Sequence, residues 1–335
     1  MKAKQILIAA LSFLLVILSG CKGADKTPMP PSTGRPGEVV IILADDLYKG
    51  AVGDTLVHFL TQPEPALPGS AMEGAEAMFS TVHLPPSALN NMIRPSRNLV
   101  IIDVGSQYVQ PDFKAYKDYW SSGQILIRIN AADREQLMDL IVKNKTTIVE
   151  TLREGEVNRQ ADYSIRYRNE ELAAQLLRKH EIIASFPKGF EPRLDTGNFT
   201  WIHFDPADMT IGVLIWEYPY TDQSQLAYAN LLSFTDQHLK PRVPGPSKGS
   251  YMALVLDFPV LTRNLTVNGN YAVELKGLWE TEGDFMGGPF ISWSYVDEKR
   301  SRIVTVFGYV YAPNKDKRDQ VRKLEGILKT VDFPD

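Results

Sequence analysis

Residues 271–311 read YAVELKGLWETEGDFMGGPFISWSYVDEKRSRIVTVFGYVY, three apolar runs separated by short polar or glycine-rich breaks. The runs predict strands at Tyr271–Trp279, Phe290–Val296 and Ile303–Tyr311, because aromatic and β-branched residues recur within each of them. Breaks of this length join neighbouring strands as hairpins, which run antiparallel. A further strand is predicted just upstream, at Tyr251–Phe258. This part of the chain is therefore expected to form an antiparallel sheet.

Upstream of this region, apolar strand-like runs alternate with amphipathic helical stretches. Strands are predicted at Glu38–Ala44, Met78–His83, Leu99–Val104, Gln124–Ile129, Ile182–Phe186, Phe199–Phe204 and Met209–Tyr218. Helices are predicted at Val52–Leu60, from Asn130 to Gly155, from Ile165 to His180, from Ser224 to Leu239 and, at the end of the chain, around Val321–Leu328. Because the helices cluster between hairpin-like strands, the sequence predicts an α+β fold with largely antiparallel sheets and packed helices.

The central pair of helices is the expected boundary between two parts of the globular region. Gly155 is predicted to interrupt the helical pattern, so the halves are placed at 38–157 and 158–335. Both halves share a loose strand–helix–strand plan, which leaves a duplication open. The sequence contains no residue repeat that supports such a duplication.

The composition is that of an ordinary folded protein. Of 335 residues, 44% are hydrophobic and 23% are charged, and there is a single cysteine. With 40 acidic against 36 basic side chains, bulk charge does not favour binding to nucleic acid. One cysteine allows neither an internal disulfide nor a thiolate metal cluster.

The first residues have the features of a secretory signal. Lys2 and Lys4 precede an apolar run from Ile6 to Leu18, which is too short to span a bilayer comfortably. The run ends in Leu-Ser-Gly before Cys21, which resembles the lipobox of bacterial lipoproteins. The resemblance implies a signal peptide at 1–20 and lipid attachment at Cys21. The alternative is an N-terminal membrane helix with an incidental cysteine.

Residues 21–37 are predicted to be a lipidated tether. From Lys22 to Gly37 the chain contains four prolines and three glycines and has no apolar cluster. Such a composition is typical of a linker, not of a folded element. The protein is expected to be held at the membrane through Cys21.

The segment from Trp279 to Phe290 is the strongest candidate site. It gathers carboxylates, glycines and large apolar side chains between two predicted strands. The candidate ligand-binding residues are Trp279, Glu280, Asp284, Phe285 and Met286. Two acids beside an aromatic platform are the groups that glycoside hydrolysis needs, provided that their carboxyls converge. The alternative is a long hairpin loop in which the aromatic rings cover the core and the acids face solvent.

Two other motifs resemble catalytic signatures but lack the required context. Residues 245–249 fit G-x-S-x-G, yet the predicted strand follows Ser247, whereas a nucleophile elbow needs the strand before the serine. His180-Glu181 begins like a zinc-protease helix, but Ala184 occupies the position of the second histidine. Both are interpreted as ordinary structure. No catalytic residue, metal site or cofactor is predicted.

Several motifs along the chain together resemble a Bacteroidetes lipoprotein family catalogued only as a domain of unknown function. In order, they are Arg35-Pro36-Gly37-Glu38, Arg97-Asn98-Leu99, Asn198-Phe199-Thr200-Trp201, Gly249-Ser250-Tyr251-Met252, Gly277-Leu278-Trp279-Glu280, Asp284 to Phe290 and Val310-Tyr311-Ala312-Pro313. The similarity spans about Arg35 to Leu328. It implies a lipid-anchored envelope protein and brings no established activity.

The residues after Cys21 bear on the orientation of the protein. In organisms with such lipoproteins, a run of acids at this place tends to mark export to the cell surface. Lys22-Gly23-Ala24-Asp25 has no such run. The expected location is therefore the cell envelope, anchored in the outer membrane and facing the periplasm.

The sequence favours a non-enzymatic binding or assembly module with a protein or glycan partner in the envelope and none among nucleic acids. The alternative function is a carbohydrate-active hydrolase that uses Glu280 and Asp284. A third interpretation is a structural subunit of an envelope assembly, which would expose an unusually large apolar patch.

Overall fold

The computed structural model of the chain describes residues 28–67 and 75–335. The predicted signal peptide at 1–20, the lipid attachment at Cys21 and the first residues of the predicted tether lie outside the described residues. Residues 31–335 form one compact unit. Within the described ranges, no helix is both long and apolar enough to cross a membrane.

The first sheet has five strands in the order β2-β1-β3-β5-β4. They are β1 (Glu38–Ile42), β2 (Ser80–Leu84), β3 (Asn98–Val104), β4 (Asp112–Lys117) and β5 (Ile125–Ala131). Three pairings are parallel and only β4 with β5 is antiparallel, so this sheet is mostly parallel, although the named strand pairings of the described residues are largely antiparallel when both sheets are taken together. The reason for the parallel pairing is that helical segments connect β1 to β2 and cross over the sheet.

Three helices belong to this sheet: α1 (Asp45–Tyr48), α2 (Ala51–Leu60) and α3 (Arg134–Arg166). Their apolar side chains pack on one face of the sheet, where Leu56, Leu137 and Ile141 meet Val100 and Ile127. The opposite face carries a smaller apolar cluster that is covered in part by the segment around residues 89–93.

The second sheet has eight strands, and every pairing within it is antiparallel. The strands are β6 (Glu191–Thr196), β7 (Phe199–Phe204), β8 (Thr210–Pro219), β9 (Tyr251–Leu254), β10 (Leu261–Val267), β11 (Asn270–Glu282), β12 (Gly287–Asp297) and β13 (Arg302–Tyr311). The order is β10-β11-β12-β13-β8-β7-β6, with β9 also paired to β11. The hairpins predicted within residues 271–311 are confirmed.

Both faces of the second sheet are covered because its long strands alternate between two apolar faces. Along β8, Val213 and Ile215 contribute to one core, whereas Leu214 and Trp216 contribute to the other. The helices α4 (Glu170–His180) and α6 (Arg318–Lys329) pack on the first face. The helix α5 (Tyr228–Leu239) and the loop after it cover the second face.

These observations confirm the predicted α+β fold, with 30% helix and 36% strand among the described residues. The two halves are not copies of one plan, because their sheets differ in strand number and direction. Ile182–Phe186, predicted as a strand, forms only an isolated bridge from Ile183 to Asp332.

The long helix α3 is continuous through Gly155, so the predicted interruption there is wrong. A Cβ atom at Gly155 would lie 2.4 Å from Cγ1 of Ile125 on β5. The glycine at position 155 therefore allows α3 to pack closely on β5, and it does not mark the end of the helix. Position 157, where the sequence divides the halves, falls inside α3. The helix begins at the cap Asp133, three residues after the predicted cap Asn130.

Residues 31–37, predicted as part of the tether, join the folded unit. Pro31 forms a bridge with Ser122, and Thr33 forms one with Ser96. The backbone N–H of Gly37 donates to Glu156 on α3 at 3.1 Å. The folded unit therefore includes the last seven residues of the predicted tether.

A buried network of charges connects α3 and α6 with the second sheet. Arg153 of α3 donates to both carboxylate oxygens of Glu325 at 2.6 Å, and Lys276 of β11 lies 3.3 Å from the same carboxylate. Arg322 of α6 pairs with Glu64 at 2.8 Å. These side chains are almost entirely inaccessible to solvent, so removing one charge would leave its partner buried without compensation.

Candidate binding pocket

The second face of the larger sheet contains a cavity of about 340 Å³ that we call the aromatic pocket. Its volume is within the range of small-molecule sites in proteins. The sheet supplies the floor, and the loop after α5 together with the β11–β12 turn supplies the rim. The lining residues are Arg193, Trp201, Thr210, Val243, Pro244, Gly245, Pro246, Met252, Trp279, Thr281, Met286, Tyr309 and Tyr311.

Two glycines allow the wall and the floor of the pocket to approach each other. A Cβ atom at Gly245 would lie 2.3 Å from Cγ2 of Thr281 and 2.4 Å from Oγ of Ser250. At Gly212 on β8, a Cβ atom would overlap the ring of Tyr309. Larger residues would displace the loop or the tyrosine. The shape of the pocket thus depends on both positions.

The indole N–H groups of the floor are satisfied within the protein. Trp201 donates to the hydroxyl of Tyr309 at 3.1 Å, and Trp279 donates to the carbonyl oxygen of Val310 at 3.2 Å. Burial raises the pKa of Tyr309, although the hydrogen bond from Trp201 opposes the change. Tyr309 is therefore neutral at physiological pH and presents an apolar ring to the cavity.

Arg193 of β6 supplies the charge at the pocket. It is exposed, and its guanidinium carbon lies 4.6 Å from the ring centroid of Trp201. Among the residues that the structure describes, no carboxylate lies within ion-pair distance of Arg193. Stacking on the indole fixes the guanidinium beside the cavity and leaves its N–H donors available for an anionic group.

The five sequence-predicted site residues do not form one site. Trp279 and Met286 line the aromatic pocket, and Trp279 is buried. Glu280 lines a different groove of about 440 Å³, because alternate side chains of a strand point to opposite sides. Asp284 and Phe285 lie in the tight turn between β11 and β12, where Phe285 is fully exposed.

The segment from Trp279 to Phe290 is therefore mostly strand, not a long loop. Only residues 283–286 separate β11 from β12. Trp279 and Phe290 pack into the core as the hairpin interpretation predicts, whereas Phe285 does not fold down on it. Glu280 faces its own groove and Asp284 is engaged by Ser247, so the geometry gives no support to a hydrolase with these two acids.

Ser247, the serine of the G-x-S-x-G match, lies in the turn after α5 and before β9. Its hydroxyl donates to Asp284 at 2.5 Å. This hydrogen bond lowers the pKa of the Asp284 carboxyl. The serine precedes a strand and follows a helix, so the turn is not the strand-to-helix elbow that the G-x-S-x-G signature needs. Ser247 instead links the two segments that border the aromatic pocket.

The sequence does not identify Arg193, Tyr309 and Gly245 as parts of a site. The strand β6, which carries Arg193, is exposed and polar and gives no strand signal. Trp201 and Trp279 do belong to the aromatic residues concentrated in this half of the sequence. The signal that could have connected them is the period of two along β7 and β11, which directs both rings to one face.

Comparison with known proteins gives family matches but no activity. The model named Domain of unknown function (DUF8532) matches residues 32–164, and Domain of unknown function (DUF4837) matches residues 169–330. No curated protein matches the sequence significantly.

Two solved structures show limited similarity. The LpqN protein of Mycobacterium tuberculosis, involved in cell envelope biogenesis, is 16% identical, with a TM-score of 0.29 over 46% of this chain and 83% of LpqN. A protein from Bacteroides thetaiotaomicron VPI-5482 is 6% identical, with a TM-score of 0.27 over 46% of each chain. Both TM-scores are too low to assign a shared fold. Two adjoining regions of the chain thus each match a family model that is described only as a domain of unknown function.

Proposed function

We propose that the protein is a lipid-anchored envelope protein whose aromatic pocket binds, without chemical change, an apolar or aromatic group next to a carboxylate. A protein partner in the envelope would present both groups, for example at the end of a peptide. The observation that carries this proposal is the position of Arg193, stacked on Trp201 at an otherwise largely apolar cavity.

The chemistry of the lining argues for this ligand class. Most lining side chains are aromatic or aliphatic, and burial of apolar area drives association with such a surface. Trp201 and Trp279 are buried, so an apolar ligand would contact mainly the aliphatic lining, whereas a sugar would need an open ring face to stack on. A single cation at the pocket then selects an anionic group over a neutral one.

The anchor is supported by the sequence alone. A charged start, a short apolar run and Cys21 in a lipobox match the signal of a bacterial lipoprotein. Two or more acyl chains bind a membrane stably, since each buried methylene contributes about 0.8 kcal/mol. We propose the outer membrane, facing the periplasm, as the location because no acidic run follows Cys21.

The pocket is tested by calorimetric titration with N-acetyl-L-phenylalanine, its neutral amide and the trisaccharide of N-acetylglucosamine. We expect the acid to bind with a Kd on the order of 1 mM, typical of a ligand this small, and the amide about 10-fold more weakly. Arg193→Gln should remove this preference, whereas Arg178→Gln, at an exposed position on α4, should keep it. Equal binding of acid and amide, or binding of the trisaccharide alone, would contradict the proposed ligand.

The anchor is tested with Cys21→Ser in the native host. The natural protein should fractionate with membranes and carry acyl chains by mass spectrometry. The serine variant should lack the acyl chains and leave the membrane fraction if its signal is removed. A wild-type protein without acyl chains would refute the anchor, whatever the pocket binds.

A further inference from the structure

The folded unit begins at one end of the first sheet. Pro31 bridges to Ser122 and Thr33 bridges to Ser96, and these two partners immediately precede β5 and β3. The amino-terminal ends of both parallel strands therefore surround the point where the chain enters the fold. Nine residues lie between Cys21 and Pro31, and the ten Cα-to-Cα steps that connect them reach at most about 35 Å.

Around this point lies a group of side chains that we call the entry surface: Met92, Arg94, Tyr119, Trp120 and Arg128. Met92 is 81% exposed and Tyr119 is 43% exposed. Trp120 is half-buried. Met92 and Arg94 are within four residues of Ser96, and Tyr119 and Trp120 are within three residues of Ser122. These four residues therefore lie near the entry point. Arg128 lies midway along β5 and joins the group through its side chain, and Trp120 also packs against the apolar cluster on the second face of the sheet.

The aromatic rings of the entry surface are flanked by cations. The guanidinium carbons of Arg94 and Arg128 each lie 5.6 Å from the ring centroid of Trp120, and Arg128 also lies 5.5 Å from that of Tyr119. The nearby acid Asp118 accepts a hydrogen bond from the backbone N–H of Gly123. Arg94 and Arg128 outnumber this acid beside the rings.

This combination is suited to a lipid surface. Tryptophan and tyrosine are favoured at the boundary between headgroups and acyl chains, because one part of each ring is apolar and the other can meet water. Arginine next to them adds electrostatic attraction to anionic headgroups. An exposed methionine contributes a flexible apolar contact.

We infer that the entry surface rests on the membrane that holds the anchor, with Trp120 and Tyr119 at headgroup depth. The inference depends on the proposed lipid attachment at Cys21, since the short chain from Cys21 keeps this end of the sheet near the bilayer. The ends of β3 and β5 then face the lipid, and the sheet stands away from the membrane.

The tryptophan content allows a direct test. The chain has five tryptophans, and Trp201, Trp216, Trp279 and Trp293 are all buried. Acylated protein purified from membranes is reconstituted in vesicles of phosphatidylethanolamine and phosphatidylglycerol, with or without bromine on the acyl chains next to the headgroups. We expect bromolipid to quench part of the intrinsic fluorescence. Trp120→Phe, which keeps an apolar ring, should abolish this quenching.

The control introduces a tryptophan at the opposite end of the same sheet. Val109 is 88% exposed and follows the carboxyl end of β3, a strand of seven residues that spans roughly 20 Å. Val109→Trp in the Trp120→Phe background should not be quenched. The inference would be overturned if bromolipid still quenched the fluorescence of Trp120→Phe. It would also be overturned if the variant with Val109→Trp in that background were quenched as strongly as the natural protein. Because the mass of the purified protein reports acylation separately, loss of the anchor and loss of the contact are distinguishable.

Discussion

The hydroxyl of Ser247 donates a 2.5 Å hydrogen bond to the carboxylate of Asp284, connecting the loop after α5 to the turn between β11 and β12. These segments contribute Pro246 and Met286 to the aromatic pocket. The pocket rim is thus a pair of surface loops held together by a polar contact at the outside, above a floor of buried rings.

Asp284→Ala should loosen this rim with little effect on global stability. The pair is exposed, so the free energy of unfolding should hardly change. Affinity for N-acetyl-L-phenylalanine should fall several-fold, because part of the binding free energy would be spent on ordering the loop. Asp316→Ala, at an exposed position away from the pocket, is the control. Unchanged affinity in Asp284→Ala would show that the hydrogen bond does not shape the pocket.

Gly245→Ala tests the contact between the loop and the sheet. The added methyl would overlap Thr281 and Ser250, and the resulting strain should lower the free energy of unfolding by about 1–3 kcal/mol. The displaced loop should also weaken binding of the probe. Gly50→Ala, where a methyl would make only ordinary contacts, provides the comparison in the same denaturant titration. If both variants have the same free energy of unfolding, the close approach at Gly245 does not require a glycine.

Glu325→Gln should be among the most destabilising single substitutions in the protein. It removes the shared negative partner of Arg153 and Lys276 in a site closed to solvent, and we expect a loss of about 3–5 kcal/mol. Glu154→Gln, which affects an exposed pair with Lys329 at 3.4 Å, should cost less than about 1 kcal/mol. Chemical denaturation measures both. Similar values would mean that the buried network does not hold the halves together.

The same carboxylate predicts a dependence of stability on pH. Burial alone would raise the pKa of Glu325, but Lys276 and Arg153 lower it from 4.5 to about 2. The unfolded chain binds this proton at a higher pH than the folded protein does, so the stabilisation is complete above about pH 5 and is lost as pH falls towards 2. Thermal unfolding between pH 6 and pH 3 should show the decline in the natural protein and a shallower one in Glu325→Gln. If stability fell equally steeply with pH in both proteins, the lowered pKa of Glu325 would be contradicted.

The sequence pattern predicts the central strands of the larger sheet well, because residues such as Val304, Val306 and Trp293 occur in long apolar or alternating runs. It misses the strands β4, β6 and β10, which lie at the edges of the two sheets and have exposed, polar side chains. The parallel direction of strands in the first sheet is not visible in the sequence, because direction depends on where the crossover helices pack and not on local composition.

The candidate site was predicted in part for a related reason. Trp279 and Met286 were found because they are large apolar residues near a glycine-rich turn. Glu280 is next to Trp279 in the sequence, but it points away from the pocket because neighbouring side chains of a strand face opposite sides. Arg193 comes from an edge strand some 90 residues earlier, and only the pairing of β6 with β7 brings it to Trp201.

The most direct test of the binding proposal is an NMR titration of the five indole N–H signals with N-acetyl-L-phenylalanine. We predict that the signals of Trp201 and Trp279 shift with one common saturation curve, whereas those of Trp216 and Trp293, which do not line the pocket, stay in place. The shifts should be much smaller with the neutral amide. Saturable binding that leaves Trp201 and Trp279 unmoved would contradict the account.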